Sequence, residues 1–403
     1  MRLLLAAAVA ALLASCATPP PPEPPKPAPV AAPVAPEPPK KPLPPVAAIK
    51  PVTETFFGQA VTDPYRYMED VKSAEVTAFL RGQGEFARKA LDAIPARQAL
   101  LDRIGVLSEA GETVSGVQLT GDGNPRLFYY KLVPGKSSRM LYVREGFAGA
   151  ERLLFDAASI AQPGLRYSID SFIASPDGRH VAVGVAAGGS EETSLRIIEV
   201  ANARDTGVVI DRIGFADETT WTPDGKALFY NRLPAPKPGE AKNRYLNSVV
   251  YRHLLGRPLA QDEAVFGRGL DPSISFADID IPAVRMTGDG KSLVGTIRHG
   301  DLNDISLYVA ATPAGFAATA WRKAIDPRDE VTAYAATDNA LYLLSHKDAP
   351  RYKVVRTGLR APDFAKATTI VPHGDTVIRQ ISIALDALYI RELSGGVDRL
   401  QRL

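Results

Sequence analysis

A tight turn carrying an aspartate, followed at once by an apolar strand, comes back six times in this chain. The copies are Gly121-Asp122-Gly123 before residues 127–130, Pro176-Asp177-Gly178 before 181–183, and Pro223-Asp224-Gly225 before 228–230. Gly288-Asp289-Gly290 then precedes 293–294, Thr337-Asp338-Asn339 precedes 341–343, and Leu385-Asp386-Ala387 precedes 388–390. Successive aspartates are 55, 47, 65, 49 and 48 residues apart. A period of about fifty residues, with several strands per unit, is the signature of a β-propeller. A four-stranded sheet has two faces and cannot bury both alone, so stacking on neighbouring sheets supplies the partner. Asp-Gly provides the positive φ that a tight hairpin needs.

The second copy predicts its strands most clearly. They are 171–174, 180–185, 194–200 and one around 208–210. In the sixth copy, 388–393 and 397–403 read as strands on either side of Ser394-Gly395-Gly396. The numbering stops there, before a fourth strand, and an open sheet edge is something native proteins avoid. The expectation is therefore an incomplete propeller over 115–403 with further sequence beyond it.

Ahead of the repeats, residues 52–114 are expected to form a short helical segment. Ser73 caps a first helix, with Glu75 in its first turn. Val76, Phe79, Leu80, Gln83, Ala87, Ala90 and Leu91 share one face. Pro95 opens a second helix carrying Leu100, Leu101, Ile104 and Leu107.

The first 51 residues read as export signal and tether. Arg2 precedes an apolar run of 11 residues, 3–13, too short to span a bilayer but suited to a signal peptide. It ends in Leu13-Ala14-Ser15-Cys16, which resembles a bacterial lipobox, with Cys16 as the site of lipidation. Residues 19–51 hold 16 of the 34 prolines and should form an extended spacer reaching on the order of 100 Å. A membrane anchor through Cys16 and a periplasmic body at the outer membrane of a Gram-negative bacterium are the expectation. Lys and Arg total 47 against 45 Asp and Glu, which argues against nucleic acid as a partner. One cysteine excludes an internal disulfide and a cysteine-cluster metal site.

The residues Asp63-Pro64-Tyr65-Arg66-Tyr67-Met68-Glu69-Asp70 resemble the N-terminal stretch of the prolyl oligopeptidase family of serine-type endopeptidases, with Tyr67 and Met68 in place of Trp and Leu. Ser175-Pro176-Asp177-Gly178, Trp221-Thr222-Pro223-Asp224-Gly225, Val250-Tyr251-Arg252-His253 and Lys347-Asp348-Ala349-Pro350-Arg351 follow in the family's order. The resemblance implies a seven-bladed propeller, of which about six blades are present here, covering an α/β-hydrolase domain. It also implies cleavage of short peptides after proline, and no metal or organic cofactor. The helical segment would pack on the hydrolase domain.

That chemistry needs a serine on a Gly-x-Ser-x-Gly elbow, followed by Asp and His. No such elbow occurs; the nearest approach is Gly188-Gly189-Ser190-Glu191-Glu192. No Ser-Asp-His triad is expected in this chain, no catalytic, cofactor or metal residue is assigned, and the hydrolase domain would lie after residue 403. The expected role is the substrate-gating propeller of a proline-directed endopeptidase, inactive by itself. The alternative is a non-catalytic lipoprotein propeller that binds a ligand or protein. His180, His253, His299, His346 and His373 lack a second His or Cys at metal-ligand spacing, so packing roles are expected. Asp301, Asn303 and Asp304 read as a turn; Asp211-Arg212 and Asp326, Arg328, Asp329, Glu330 as surface charge; Trp221 and Trp321 as candidate stacking platforms, with interblade core expected for Trp221; and 237–244 as a connecting loop.

Overall fold

A computed structural model describes residues 42–108, 111–121, 125–236, 243–313, 315–316 and 319–403. The chain divides into two compact units, Met1–Asp102 and Arg103–Leu403.

The first unit opens with a hairpin where a helical segment was expected. Strands β1 (Val52–Phe56) and β2 (Gln59–Asp63) pair antiparallel from Phe56↔Gln59 to Val52↔Asp63. The two-residue turn at Phe57 and Gly58 takes positive φ at both positions, the hand that matches strand twist. Arg66 then draws in carboxylates from three places, with Glu54 at 2.6 Å, Glu69 at 2.7 Å and Asp63 at 3.6 Å. This arginine hub gives the Asp63–Asp70 stretch a structural reason for its charges. Helix α1 (Ala74–Asp92) begins as expected, the Ser73 Oγ accepting the Val76 amide at 3.2 Å. Of its apolar face only Val76 is buried, while Leu80 and Leu91 stay exposed. Helix α2 (Arg97–Ser108) starts two residues after Pro95, because Ala96 takes a positive φ of 65° before the helix begins. Leu100, Leu101, Ile104 and Leu107 are all exposed on it.

The second unit is a run of antiparallel sheets, each built from strands consecutive in sequence. Sheet one holds β3 (Thr113–Thr120), β4 (Arg126–Leu132), β5 (Met140–Glu145) and β6 (Glu151–Phe155). Sheet two holds β7 (Tyr167–Ala174), β8 (His180–Ala187), β9 (Thr193–Glu199) and β10 (Arg204–Ile213). Sheet three holds β11 (Thr220–Trp221), β12 (Ala227–Arg232), β13 (Val249–Leu254) and β14 (Glu263–Gly267). A single pairing, Ile213↔Arg232, joins sheets two and three into one eight-stranded surface. Sheet four comprises β15 (Ile281–Met286), β16 (Ser292–Arg298), β17 (Ile305–Ala311) and β18 (Arg322–Ile325). Sheet five comprises β19 (Val331–Ala336), β20 (Ala340–Ser345), β21 (Lys353–Gly358) and β22 (Thr368–Val371). Sheet six has three strands, β23 (Val377–Ile383), β24 (Leu388–Ser394) and β25 (Val397–Arg402). These are the blades of a β-propeller, and the second unit is mostly β.

Alternation along each strand sends successive side chains to opposite neighbours. Phe128 and Leu141 of sheet one meet Phe172, Val181 and Val183 of sheet two. Ala182, Leu195 and Ile197 turn the other way, onto Trp221, Leu228 and Tyr230 of sheet three. Phe229 and Phe266 then face Leu293, Tyr308 and Trp321 of sheet four. Leu307 and Val309 continue onto Leu341 and Leu343, and Leu344 and Val354 onto Ile378 and Ile381. Five apolar layers thus separate six sheets. Each fully buried large side chain in them contributes about 1.5–3 kcal/mol, so these layers outweigh the turn hydrogen bonds.

The recurring turns share one geometry. In sheets two, three and four a hydroxyl donates to the aspartate two residues on: Ser175 to Asp177 at 2.6 Å, Thr222 to Asp224 at 2.6 Å, Thr287 to Asp289 at 2.8 Å. The same hydroxyl accepts the amide five residues on, at 3.0, 3.0 and 3.1 Å. Asp122 lies outside the described residues. Side chains also tie blade to blade: Gln118 donates to the Phe172 carbonyl, Trp221 to that of Ile173, and Asn231 to that of Pro282.

Candidate functional site

The first strands of four blades converge on a cavity of about 400 Å³. Its wall takes Gln118 from β3, Ile173 and Ala174 from β7, Thr220 and Trp221 from β11, and Arg285 and Met286 from β15, with Asp217 and Thr219 from the link into β11. The blade turns set the ends of these strands, and the apolar layers hold them in register. Near the cavity, Arg298 pairs with Glu218 at 3.1 Å and with Asp217 at 3.8 Å. Thr296 donates to the Tyr334 hydroxyl at 3.3 Å, and burial pushes that phenol above its ordinary range. Trp221 forms part of the wall and of the core between blades two and three, 7% exposed, while Trp321 is wholly core at 4%.

One constellation was not expected. Ser306 Oγ lies 2.9 Å from His299 Nε2, and His299 Nδ1 lies 2.8 Å from Asp280 Oδ2. Asp280 Oδ2 also accepts the Ala277 amide at 3.0 Å. Serine, histidine and carboxylate are thus linked in series by hydrogen bonds. The arrangement lacks what a nucleophile needs. Ser306 is 2% exposed, in the body of β17 opposite Ile297, not on a strand-to-helix elbow. Its chain of bonds ties the link into β15 to the ends of β16 and β17, a structural use of the same polarity. The three residues lie 19 and 7 positions apart with no local motif, and the pairing of β15 with β16 and of β16 with β17 brings them together.

Ser190, the nearest sequence approach to a nucleophile, sits in the β8–β9 turn beside a cavity of about 730 Å³. Glu191, Glu192, Asp211, Arg212 and Arg244 surround that cavity, and among the described residues no histidine lines it. Among the described residues no cluster of His, Cys, Asp and Glu has metal-binding geometry.

Two other histidines, His253 and His346, take structural places, whereas His373 is exposed. His253, fully buried, contacts Asp262 at 2.8 Å, and the Tyr230 hydroxyl donates to the same carboxylate at 2.6 Å. Burial and that carboxylate raise the Tyr230 phenol far above its ordinary range. His346 stands between Asp304 at 2.8 Å and Glu330 at 3.3 Å, bridging blades four and five. Two groups read as plain surface charge are more than that. Asp326 and Asp329 form a reciprocal cap around a short helical turn, and Glu330 leaves it with φ of 52° to reach His346. Lys323 and Arg328 hold the Asp326 carboxyl well below its usual range. Asp211 bridges Arg212 at 3.0 Å and also pairs with Arg232. Cys16, the expected lipidation site, and residues 237–242 of the long loop lie outside the described residues.

Comparison with known proteins agrees with this architecture. Residues 44–403 match the model for "Prolyl oligopeptidase, N-terminal beta-propeller domain". The prolyl endopeptidase of Elizabethkingia meningoseptica is 25% identical over 312 residues, covering 77% of this chain and 42% of that protein. Prolyl oligopeptidase ophP of Omphalotus olearius is 26% identical over 369 residues, covering 84% and 48%. This chain therefore spans less than half the length of those relatives. A solved prolyl endopeptidase structure superposes with a TM-score of 0.74 at 26% identity, covering 89% of this chain and 51% of that one. Prolyl oligopeptidase B of Galerina marginata, at 20% identity and a TM-score of 0.72, shares the fold. On the strength of a match that runs through all six blades, the chain belongs to the prolyl oligopeptidase N-terminal β-propeller family.

Proposed function

We propose that this chain is the substrate-gating propeller of a serine endopeptidase that cleaves short peptides after proline. In this reading the reactive serine, aspartate and histidine belong to an α/β-hydrolase domain, and the blades decide what reaches it. The observation that carries the reading is the pairing of a cavity at the first strands of four blades with a Ser306–His299–Asp280 chain whose serine is buried within one blade. The exposed apolar residues Leu100, Ile104 and Leu107 on α2 fit a surface meant to be covered by that domain. The same reading anchors the protein through lipid on Cys16, with residues 19–51 as spacer and the body in the periplasm. It is supported by the apolar run 3–13 and by the position of the single cysteine. The test is incubation of the purified chain with a fluorogenic proline-containing peptide. No hydrolysis is expected. Turnover that disappears in Ser306→Ala would overturn the proposal.

A further inference from the structure

The cavity at the first strands of four blades has two features that its role in packing leaves unused. Arg285 is exposed at the end of β15, and among the described residues its guanidinium has no hydrogen bond or ion pair. Thr219, 2% exposed, lines the same cavity, and its hydroxyl is buried with no hydrogen-bond partner. A buried hydroxyl left unpaired costs about 1–3 kcal/mol, and structures seldom keep one without a use. Asp217, the one carboxylate in the wall, is drawn toward Arg298 at 3.8 Å. Beside the free cation and the free hydroxyl, Ile173, Trp221 and Met286 supply an apolar flank.

We infer that this cavity binds a carboxylate, and that the carboxylate is the free C-terminus of a short peptide. Guanidinium pairs with carboxylate through two parallel hydrogen bonds, and a neighbouring hydroxyl adds a third. The apolar flank takes the last side chain. A volume of about 400 Å³ suits the end of a peptide better than its whole length. The inference rests on the gating reading and names which peptides the propeller favours: those presenting a free terminal carboxylate to this cavity.

The test uses fluorescein-labelled Gly-Pro-Ala-Gly, as free acid and as carboxamide, titrated with the purified full chain and followed by anisotropy. The acid should bind about tenfold more tightly than the amide, the worth of a charge-assisted hydrogen-bond pair. Arg285→Gln should bring the acid down to the level of the amide. Thr219→Val should reduce the acid's advantage about threefold while holding or raising the melting temperature, since it removes the unpaired hydroxyl. Equal binding of acid and amide, no binding of either, or a preference that survives Arg285→Gln overturns the inference. The gating reading fails by a different signal, peptide hydrolysis by this chain alone, which the acid-to-amide ratio does not report.

Discussion

Adding one methyl group at Gly295 tests whether neighbouring blades lean on one another as described. Gly295 lies in β16, and a Cβ built there would stand 2.8 Å from Phe266 Cζ and 3.0 Å from Trp321 Cζ3. Phe266 belongs to blade three and is wholly buried, its ring centroid 4.5 Å from that of Trp321 and 5.5 Å from that of Tyr308. For an isolated strand, replacing glycine with alanine would stabilise by roughly 0.5–1 kcal/mol through backbone entropy. Here the methyl must displace an aromatic ring with no room to move, at a cost of about 1–3 kcal/mol. The overpacking term is the larger, so Gly295→Ala should destabilise and lower the urea midpoint. Phe266→Leu should destabilise alone through the space it leaves. In the double variant the methyl occupies part of that space, so the loss should fall short of the sum by at least about 0.5 kcal/mol. Equilibrium denaturation followed by tryptophan fluorescence reads all four proteins. A stabilised Gly295→Ala, or strict additivity with Phe266→Leu, would refute face-to-face packing of blades three and four.

The turns give a dependence on pH. The Thr222 hydroxyl holds the Asp224 carboxyl below its ordinary value, and the Lys291 amide with the Thr287 hydroxyl does so for Asp289. A depressed folded value means that these turns stabilise fully above the unfolded carboxylate pKa, about 3.9, and lose that support as pH falls through the lower folded value. The urea midpoint should therefore drop as pH is taken below about 4, and Thr222→Val should flatten the Asp224 share of that slope. Trp221→Phe should cost about 1–3 kcal/mol, because the Ile173 carbonyl, which accepts its indole N–H at 2.9 Å, loses a partner. An unchanged midpoint would show that this bond does not tie blades two and three.

The propeller was legible because its grammar is local. An aspartate turn must sit next to the strand it starts, and alternation within the strand marks both buried faces. The strands expected at 171–174, 180–185, 194–200 and 388–393 fall within β7, β8, β9 and β24 or one residue beyond them. The hairpin at 52–63 was missed because Phe57-Gly58 carries no Asn or Asp to announce a tight turn. Pro95 marked the second helix but not its start, since Ala96 spends a residue in the left-handed region. The site was legible only in part. Trp221 was read as core, and it does pack there while also facing the cavity. Arg285, Thr219 and the Ser306–His299–Asp280 chain gave no sequence signal, because each depends on which strands pair and which blades meet. Glu330 looked like solvated charge until the turn at Asp326 aimed it at His346.

Whether these residues contain a reactive serine is answered most directly by a fluorophosphonate probe and intact-mass measurement of the purified chain. With Ser306 sealed in its blade and no histidine at Ser190, the mass should not change. A single adduct that maps to Ser306 and vanishes in His299→Ala would show that the blade holds a working nucleophile, and the assignment of the chemistry to another domain would be wrong.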